Sequence, residues 1–218
     1  MYSLAEAYLP LKFESDRNIE ILCTLRGSKQ MPTRQRVQDW IAEYGVSREI
    51  TNIVTKQLTK SSRTVVDKRY FQNMYNAKFI VTVNPAHWEG DFRLWEAMAS
   101  GALIFVDRLF TPYQYPLLGG EHVIFYANNN KTDLYHKLDY YREHPTEARK
   151  IATQGYLHAM KYHRTINLAD YVLRSLHLKM AMKHHPKTAK RVLNYTYTAQ
   201  ELLDYARELE PFYKSHPW

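Results

Sequence analysis

Short apolar runs alternate with longer segments of helical periodicity from about residue 19 onward, and few architectures are compatible with that order. Each apolar run is four to seven residues long and lacks the polar alternation of a half-exposed strand. Such runs are typical of strands that are covered on both faces, as in a parallel sheet. We therefore predict an α/β fold with strands at residues 19–25, 50–54, 78–83, 102–106 and 123–126.

Segments of helical periodicity connect these strands. Residues 33–44 follow Pro32, a favourable residue for a first helical turn, and carry apolar side chains at helical spacing. Residues 67–76 and 92–100 show the same periodicity, and two consecutive amphipathic helices follow the last strand. Parallel strands need such crossover connections, so helices are expected on both faces of the sheet.

The chain is expected to divide near residue 184. Residues 1–183 form the predicted Rossmann-like domain, which ends in a helix over residues 168–183. Residues 184–218 begin as a basic, irregular linker and end in a helix preceded by a capping-box pattern, Thr198 with Glu201 three residues later. The second part is therefore predicted to be a linker with a C-terminal helical appendage.

The composition is that of a soluble globular protein, since 45% of the 218 residues are hydrophobic and 24% are charged. No apolar stretch approaches the roughly 20 residues of a membrane-spanning helix, and no secretory signal is recognisable, so a cytoplasmic location is expected. The single cysteine and the ten histidines lack the spacing of a metal site, so no metal is predicted. The net charge of +8 favours an anionic partner but does not distinguish a nucleotide diphosphate from a nucleic acid or a membrane surface.

Residues 84–102 join a strand, a loop, a helix and the next strand. Ligands of open α/β sheets bind outside the carboxyl ends of the strands, where this loop is expected to lie. Backbone N–H groups near Gly90 and Asp91, at the start of the helix, are suited to a diphosphate. Arg93 and Glu96 are expected to share a helix face, with the guanidinium on phosphate and the carboxylate on two ribose hydroxyls. A surface ion pair between these two side chains remains an open alternative.

The segment from Glu89 through Glu96 to Ala102, followed by residues 119–126, resembles the donor-binding domain of group 1 glycosyltransferases, with the CgeB-like branch nearest. The resemblance covers about residues 19–165 and implies the carboxyl-terminal Rossmann-like half of a GT-B fold. In that family the second glutamate of a paired motif contacts the nucleotide ribose, and it corresponds to Glu96. The pair Glu89 and Glu96 is spaced one residue more closely than in the family, which leaves the expected sugar contact of Glu89 open.

The candidate site residues come from the motif and the resemblance together. Arg26 and Lys29 follow the first strand, in a loop that faces the diphosphate in the resembling enzymes, and an ordinary basic turn is the alternative. His87 and Asp91 are candidate catalytic residues together with Arg93; the alternatives are a positioning role for His87 and helix capping for Asp91. The complete predicted donor-binding set is Arg26, Lys29, Asn84, Glu89, Gly90, Phe92, Arg93 and Glu96.

The expected activity is transfer of a sugar from a nucleotide-diphosphate donor of the UDP or GDP type to a carbohydrate or other hydroxyl acceptor, without a metal ion or cofactor. The resemblance implies a neighbouring domain, because two-domain enzymes of this type place the acceptor site in their amino-terminal domain. The alternative is a basic module that binds nucleic acid or another polyanion, which the net charge and the basic residues at 183–191 favour. Nucleic acid is the less expected partner, because the chain shows no recognition motif.

Overall fold

The computed structural model of the chain describes residues 17–26, 31–55, 68–85, 89, 91–110, 115–169, 171, 172 and 175. Contacts divide the chain into two compact units, Met1–Leu168 and Ala169–Trp218, and the described residues lie almost entirely in the first. The predicted boundary near residue 184 and the predicted helical appendage lie outside the described residues. Both stay predictions.

Among the described residues, the strands are β1 (Ile19–Leu22), β2 (Ile53–Val54), β3 (Ala77–Val81), β4 (Leu103–Asp107) and β5 (Ile124–Tyr126). They form one sheet in the order β2-β1-β3-β4-β5, and every neighbouring pair is parallel. The predicted parallel sheet is therefore confirmed. The second strand, predicted over residues 50–54, is shorter than expected and keeps only the two residues that pair with β1 at the edge of the sheet.

The helices in the described part of the first unit are α1 (Pro32–Ser47), α2 (Lys68–Asn76), α3 (Phe92–Ala99), α4 (Lys131–Glu143) and α5 (Pro145–Tyr162). Proline stands in the first turn of α1 and of α5, as the sequence predicts. The Asp91 side chain caps α3 and the Asn130 side chain caps α4, each by accepting a backbone N–H of the first turn. Local sequence signals thus account for where these four helices begin.

Helices cover both faces of the sheet. Side chains of α1 and α4 pack on one face in a cluster that includes Phe105, and side chains of α2 and α3 pack on the other face in a cluster that includes Ile104. Consecutive strand residues point to opposite faces, so both faces of β4 are apolar and buried. Helix α5 serves both clusters, with Ile151 in the first and Ala159 in the second. The chain therefore has the predicted Rossmann-like α/β fold.

The strand order reverses direction between β1 and β3, which is the topological switch point of the sheet. Helix α1 follows β1 and covers one face, whereas α3 follows β3 and covers the other. The amino-terminal ends of α1 and α3 therefore flank the carboxyl ends of two neighbouring strands. Open α/β sheets bind ligands at such a point.

A column of aromatic rings fastens the carboxyl end of α5 to α3. The His122 and His158 rings stack at 3.9 Å between centroids, His163 lies 5.3 Å from His158, and His163 stacks on Trp95 of α3 at 4.1 Å. The Nε2–H groups of His158 and His163 donate to the carbonyl oxygen of Tyr115 at 3.4 and 2.9 Å. Burial lowers the pKa of both His158 and His163 to about 4, with neighbouring histidines adding to the shift.

Acidification is expected to weaken this packing. A histidine in an unfolded chain has a pKa near 6.5, so the two rings contribute their full stabilisation above that pH and lose it as the pH falls towards 4. Their loss corresponds to about 2 kcal/mol of the free energy of unfolding for each ring, which urea titrations between pH 7 and pH 4.5 measure. The variant His158→Gln/His163→Gln should have a flatter pH profile than the wild type, and His136→Gln, at an exposed position on α4, is the control. Parallel profiles for the wild type and the double variant would contradict the account.

Candidate functional site

A buried hydrogen-bond network holds the carboxyl ends of β3 and β4 together. Asp107 is the last residue of β4, and its Oδ1 accepts the backbone N–H and the side-chain Nδ2–H of Asn84, both at 2.9 Å. Its Oδ2 accepts from Nδ2 of Asn128 at 2.9 Å. Asn84, a predicted donor-binding residue, therefore braces the strand ends, and this bracing fixes the path of the chain towards α3.

Asp91 connects the starts of α1 and α3. Its carboxylate caps α3 by accepting from the backbone N–H of Arg93 at 3.5 Å, which is the role foreseen as the alternative to catalysis. The same carboxylate forms an ion pair with Arg93, at 3.3 Å from Nη1, and another with Arg34 from the first turn of α1. One carboxylate thus receives two guanidinium groups from opposite faces of the sheet.

Arg93 is nearly buried, with 15% of its side chain exposed. Burial disfavours its charged form, but the nearby Tyr70 and Asp91 outweigh that effect and raise the pKa of Arg93 above its ordinary value. Its Nε has no hydrogen-bond partner among the described residues. The guanidinium is therefore charged, held in place by Asp91, and incompletely satisfied.

Glu96 lies one helical turn after Arg93, and the two side chains meet at Tyr70 of α2. The Tyr70 hydroxyl donates to Oε2 of Glu96 at 3.0 Å, and the ring also interacts electrostatically with Arg93. Burial raises the pKa of Glu96, while Tyr70 and Arg93 counteract that shift. Arg93 forms its ion pair with Asp91, so the arrangement is an organised cluster instead of the simple surface ion pair considered as an alternative.

Arg34 was not anticipated by the sequence reasoning. It is the most buried cation of the cluster, with 7% of its side chain exposed, and its Nε lacks a hydrogen-bond partner in the described structure. A signal existed, because a cation in the first turn opposes the helix dipole and α1 has no acidic residue in that turn. An arginine at such a position needs an anion from elsewhere.

The other predicted residues are placed as follows. Arg26 is exposed just beyond β1, and Phe92, the first residue of α3, is 70% exposed. Both carboxylate oxygens of Glu89 accept from the backbone N–H of Phe110, at 2.8 and 3.0 Å, so this side chain ties together the loops that follow β3 and β4. Lys29, His87 and Gly90 lie outside the described residues, and their predicted roles stay predictions.

The described residues contain neither a candidate membrane span nor a candidate metal-binding cluster. No helix there combines the length and hydropathy needed to cross a membrane. No group of three or more His, Cys, Asp or Glu side chains in those ranges is arranged to hold a metal ion. The carboxylates at the switch point are instead engaged by arginines and amides.

Comparison with solved structures gives a match to sucrose-phosphate synthase from Thermosynechococcus elongatus, with 15% sequence identity and a TM-score of 0.45. The match covers 87% of this chain and 49% of that chain, so the chain spans about half the length of the protein that it matches. No curated protein matches the sequence.

Comparison with protein families gives a match of a different kind. The model of the family described as glycosyl transferase-like matches residues 19–174, which is well over half of the chain. The matched range contains the whole sheet and both helices that begin at the switch point. The chain therefore belongs to the glycosyl transferase-like family.

Proposed function

We propose that this chain is the nucleotide-sugar-binding domain of a GT-B glycosyltransferase. The observation that carries the proposal is the placement of Arg93 and Glu96 around the first turn of α3, at the topological switch point of the sheet. A guanidinium and a carboxylate side by side suit the two features of a nucleotide diphosphate, which are its phosphates and its vicinal ribose hydroxyls. The resemblance of residues 89–102 supports a place in the CgeB-like branch and in the carboxyl-terminal half of a two-domain enzyme.

In this proposal the diphosphate lies against the amino-terminal end of α3. Its charge is balanced by Arg93 and, from the loop after β1, by Arg26 and Lys29, while the positive end of the α3 dipole favours the phosphate oxygens. Glu96 accepts hydrogen bonds from the ribose hydroxyls, and Tyr70 fixes its carboxylate. A UDP or GDP type of donor meets these requirements.

The transfer step follows from this charge distribution. The bond between the anomeric carbon and the diphosphate oxygen breaks, the acceptor hydroxyl oxygen forms the new glycosidic bond, and its proton goes to a base. The nucleoside diphosphate leaves with extra negative charge, which fixed guanidinium groups and the helix terminus stabilise in place of a metal ion. Asp91 is neutralised by two arginines and suits positioning better than proton abstraction, so His87 is the preferred base in this scheme.

The acceptor, whether a carbohydrate or another hydroxyl compound, is proposed to bind on a neighbouring domain. Residues 19–165 resemble one half of a two-domain enzyme, and the described residues build one Rossmann-like unit. Two-domain glycosyltransferases close two such units around their substrates, so transfer activity is expected when the partner domain is present.

A heat-shift experiment tests the proposal. The chain is titrated with UDP, GDP and their sugar conjugates, and in parallel with UMP, inorganic pyrophosphate and short single- and double-stranded nucleic acids. We expect a nucleoside diphosphate to stabilise the fold most, by about 2.7 kcal/mol at a concentration of 100 times its Kd. Greater stabilisation by nucleic acid, abolished by moderate salt, would contradict the proposal and favour the basic polyanion-binding module, which the net charge of +8 makes the second candidate.

A further inference from the structure

Arg34 and Arg93 converge on one carboxylate from opposite faces of the sheet. Arg34 belongs to α1, Arg93 belongs to α3, and both form ion pairs with Asp91 at the cap of α3. The three side chains are at most 16% exposed. The cluster carries two positive charges and one negative charge, and the carboxylate of Asp107 also acts electrostatically on Arg34.

The hydrogen-bonding capacity of Arg34 is largely unused. A guanidinium carries five N–H donors. In Arg34, Nη2 donates to Asp91, and Nη1 lies 3.7 Å from the sulfur of Met31. The Nε atom has no hydrogen-bond partner among the described residues. Burying a charged group with so few acceptors is costly, and buried arginines are usually satisfied by carboxylate or phosphate.

We propose that Arg34 is a second diphosphate-binding residue and that Asp91 is the internal counter-ion that holds Arg34 and Arg93 ready for the phosphate. This inference rests on the proposed function, because it places the diphosphate beside Asp91 at the start of α3. Phosphate oxygens supply the acceptors that the two guanidinium groups lack, and the planar fork of arginine fits them in pairs. Asp91 keeps the two cations together when no ligand is bound, and its charge opposes the incoming anion.

Calorimetric titration of the full chain with UDP, GDP and inorganic pyrophosphate tests the assignment. Arg34→Gln is expected to weaken binding of the preferred diphosphate about tenfold. Arg36→Gln is the matched control, because it removes the same charge from an exposed residue two positions later and loses a contact with the carbonyl of Asn128 and a cation–π contact with Trp40, both away from Asp91. Binding by the control should stay within about twofold of wild type, as expected for a distant screened charge.

Asp91→Asn separates ligand binding from a purely structural role. Asparagine caps a helix as well as aspartate does, so this variant removes the charge and keeps the cap. If Arg34 only supports Asp91, Arg34→Gln should not change the affinity for diphosphate any further in the Asp91→Asn background. If Arg34 binds phosphate, Arg34→Gln should still lower that affinity about tenfold in this background. Arg34→Lys keeps the positive charge but lacks the forked donors of the guanidinium, so its affinity for diphosphate should be several-fold lower than that of wild type.

The outcomes also separate this inference from the proposed function. One outcome is that wild type binds pyrophosphate more tightly than Arg34→Gln does, while nucleoside diphosphates bind no more tightly than pyrophosphate. That result supports the Arg34 assignment and overturns the nucleotide-binding proposal. Equal binding of nucleoside diphosphate by wild type and Arg34→Gln overturns the Arg34 assignment and leaves the proposed function standing. Failure of wild type to bind any diphosphate overturns both.

Discussion

Replacement of Gly155 by alanine is expected to lower the free energy of unfolding by about 3 kcal/mol or more. Gly155 lies inside α5, where the same substitution at an open position stabilises a helix by about 1 kcal/mol. Here a Cβ atom would lie 2.2 Å from the carbonyl oxygen of His122 and 3.5 Å from Cε of Met98. The closest atom belongs to the backbone, so the helix itself must move away from the segment that leads into β5.

Urea unfolding of the variant measures this effect, and Gly120→Ala is the comparison. Gly120 has a φ of +77° and nothing within 4 Å of the added Cβ atom, so only backbone strain of about 1 kcal/mol is expected there. The free energy of unfolding should therefore be highest for wild type, lower for Gly120→Ala and lowest for Gly155→Ala. A Gly155→Ala protein as stable as wild type would show that α5 does not pack on His122 as described.

Replacement of Glu96 by alanine is expected to weaken nucleoside diphosphate binding about 100-fold, because two hydrogen bonds to a charged acceptor are lost at once. Glu96→Gln keeps an oxygen acceptor in nearly the same place, so its affinity for the nucleoside diphosphate should be about tenfold lower than that of wild type. Glu121→Ala removes an equal charge from an exposed residue and is the control. Calorimetric titration at neutral pH measures all three, and the unliganded melting temperature of each variant reports any loss of the Tyr70 contact. An affinity of Glu96→Ala within threefold of the control would contradict the ribose assignment.

Much of the fold was predictable because its signals are local. Each apolar run in the sequence became a strand of the sheet, and Pro32, Asp91 and Pro145 mark helix starts through side-chain and backbone preferences that act within a single turn. Strand ends were less predictable. β2 keeps two residues only, since the length of an edge strand depends on what its neighbour offers for pairing.

The same distinction between local and non-local signals applies to the candidate site. Arg93 and Glu96 lie one turn apart on a single helix, so their proximity to each other follows from helical geometry alone. The pairing of Arg34 with Asp91 joins residues 57 positions apart on different faces of the sheet, and no local pattern encodes it. The same holds for Glu89, which accepts from the backbone of Phe110, and for Asn84, which binds Asp107. Roles that depend on non-local partners emerge only once the sheet order is known.

The central claim is that Glu96 holds the ribose of a nucleotide whose phosphates meet the start of α3. The most direct measurement compares the preferred nucleoside diphosphate with its 2′,3′-dideoxy analogue, each titrated into wild type and into Glu96→Ala. The account predicts that removal of the hydroxyls costs the wild type on the order of 100-fold in affinity and costs Glu96→Ala almost nothing, since the partner is already gone. An equal loss of affinity in both proteins would contradict the claim, because the hydroxyls would then be recognised elsewhere.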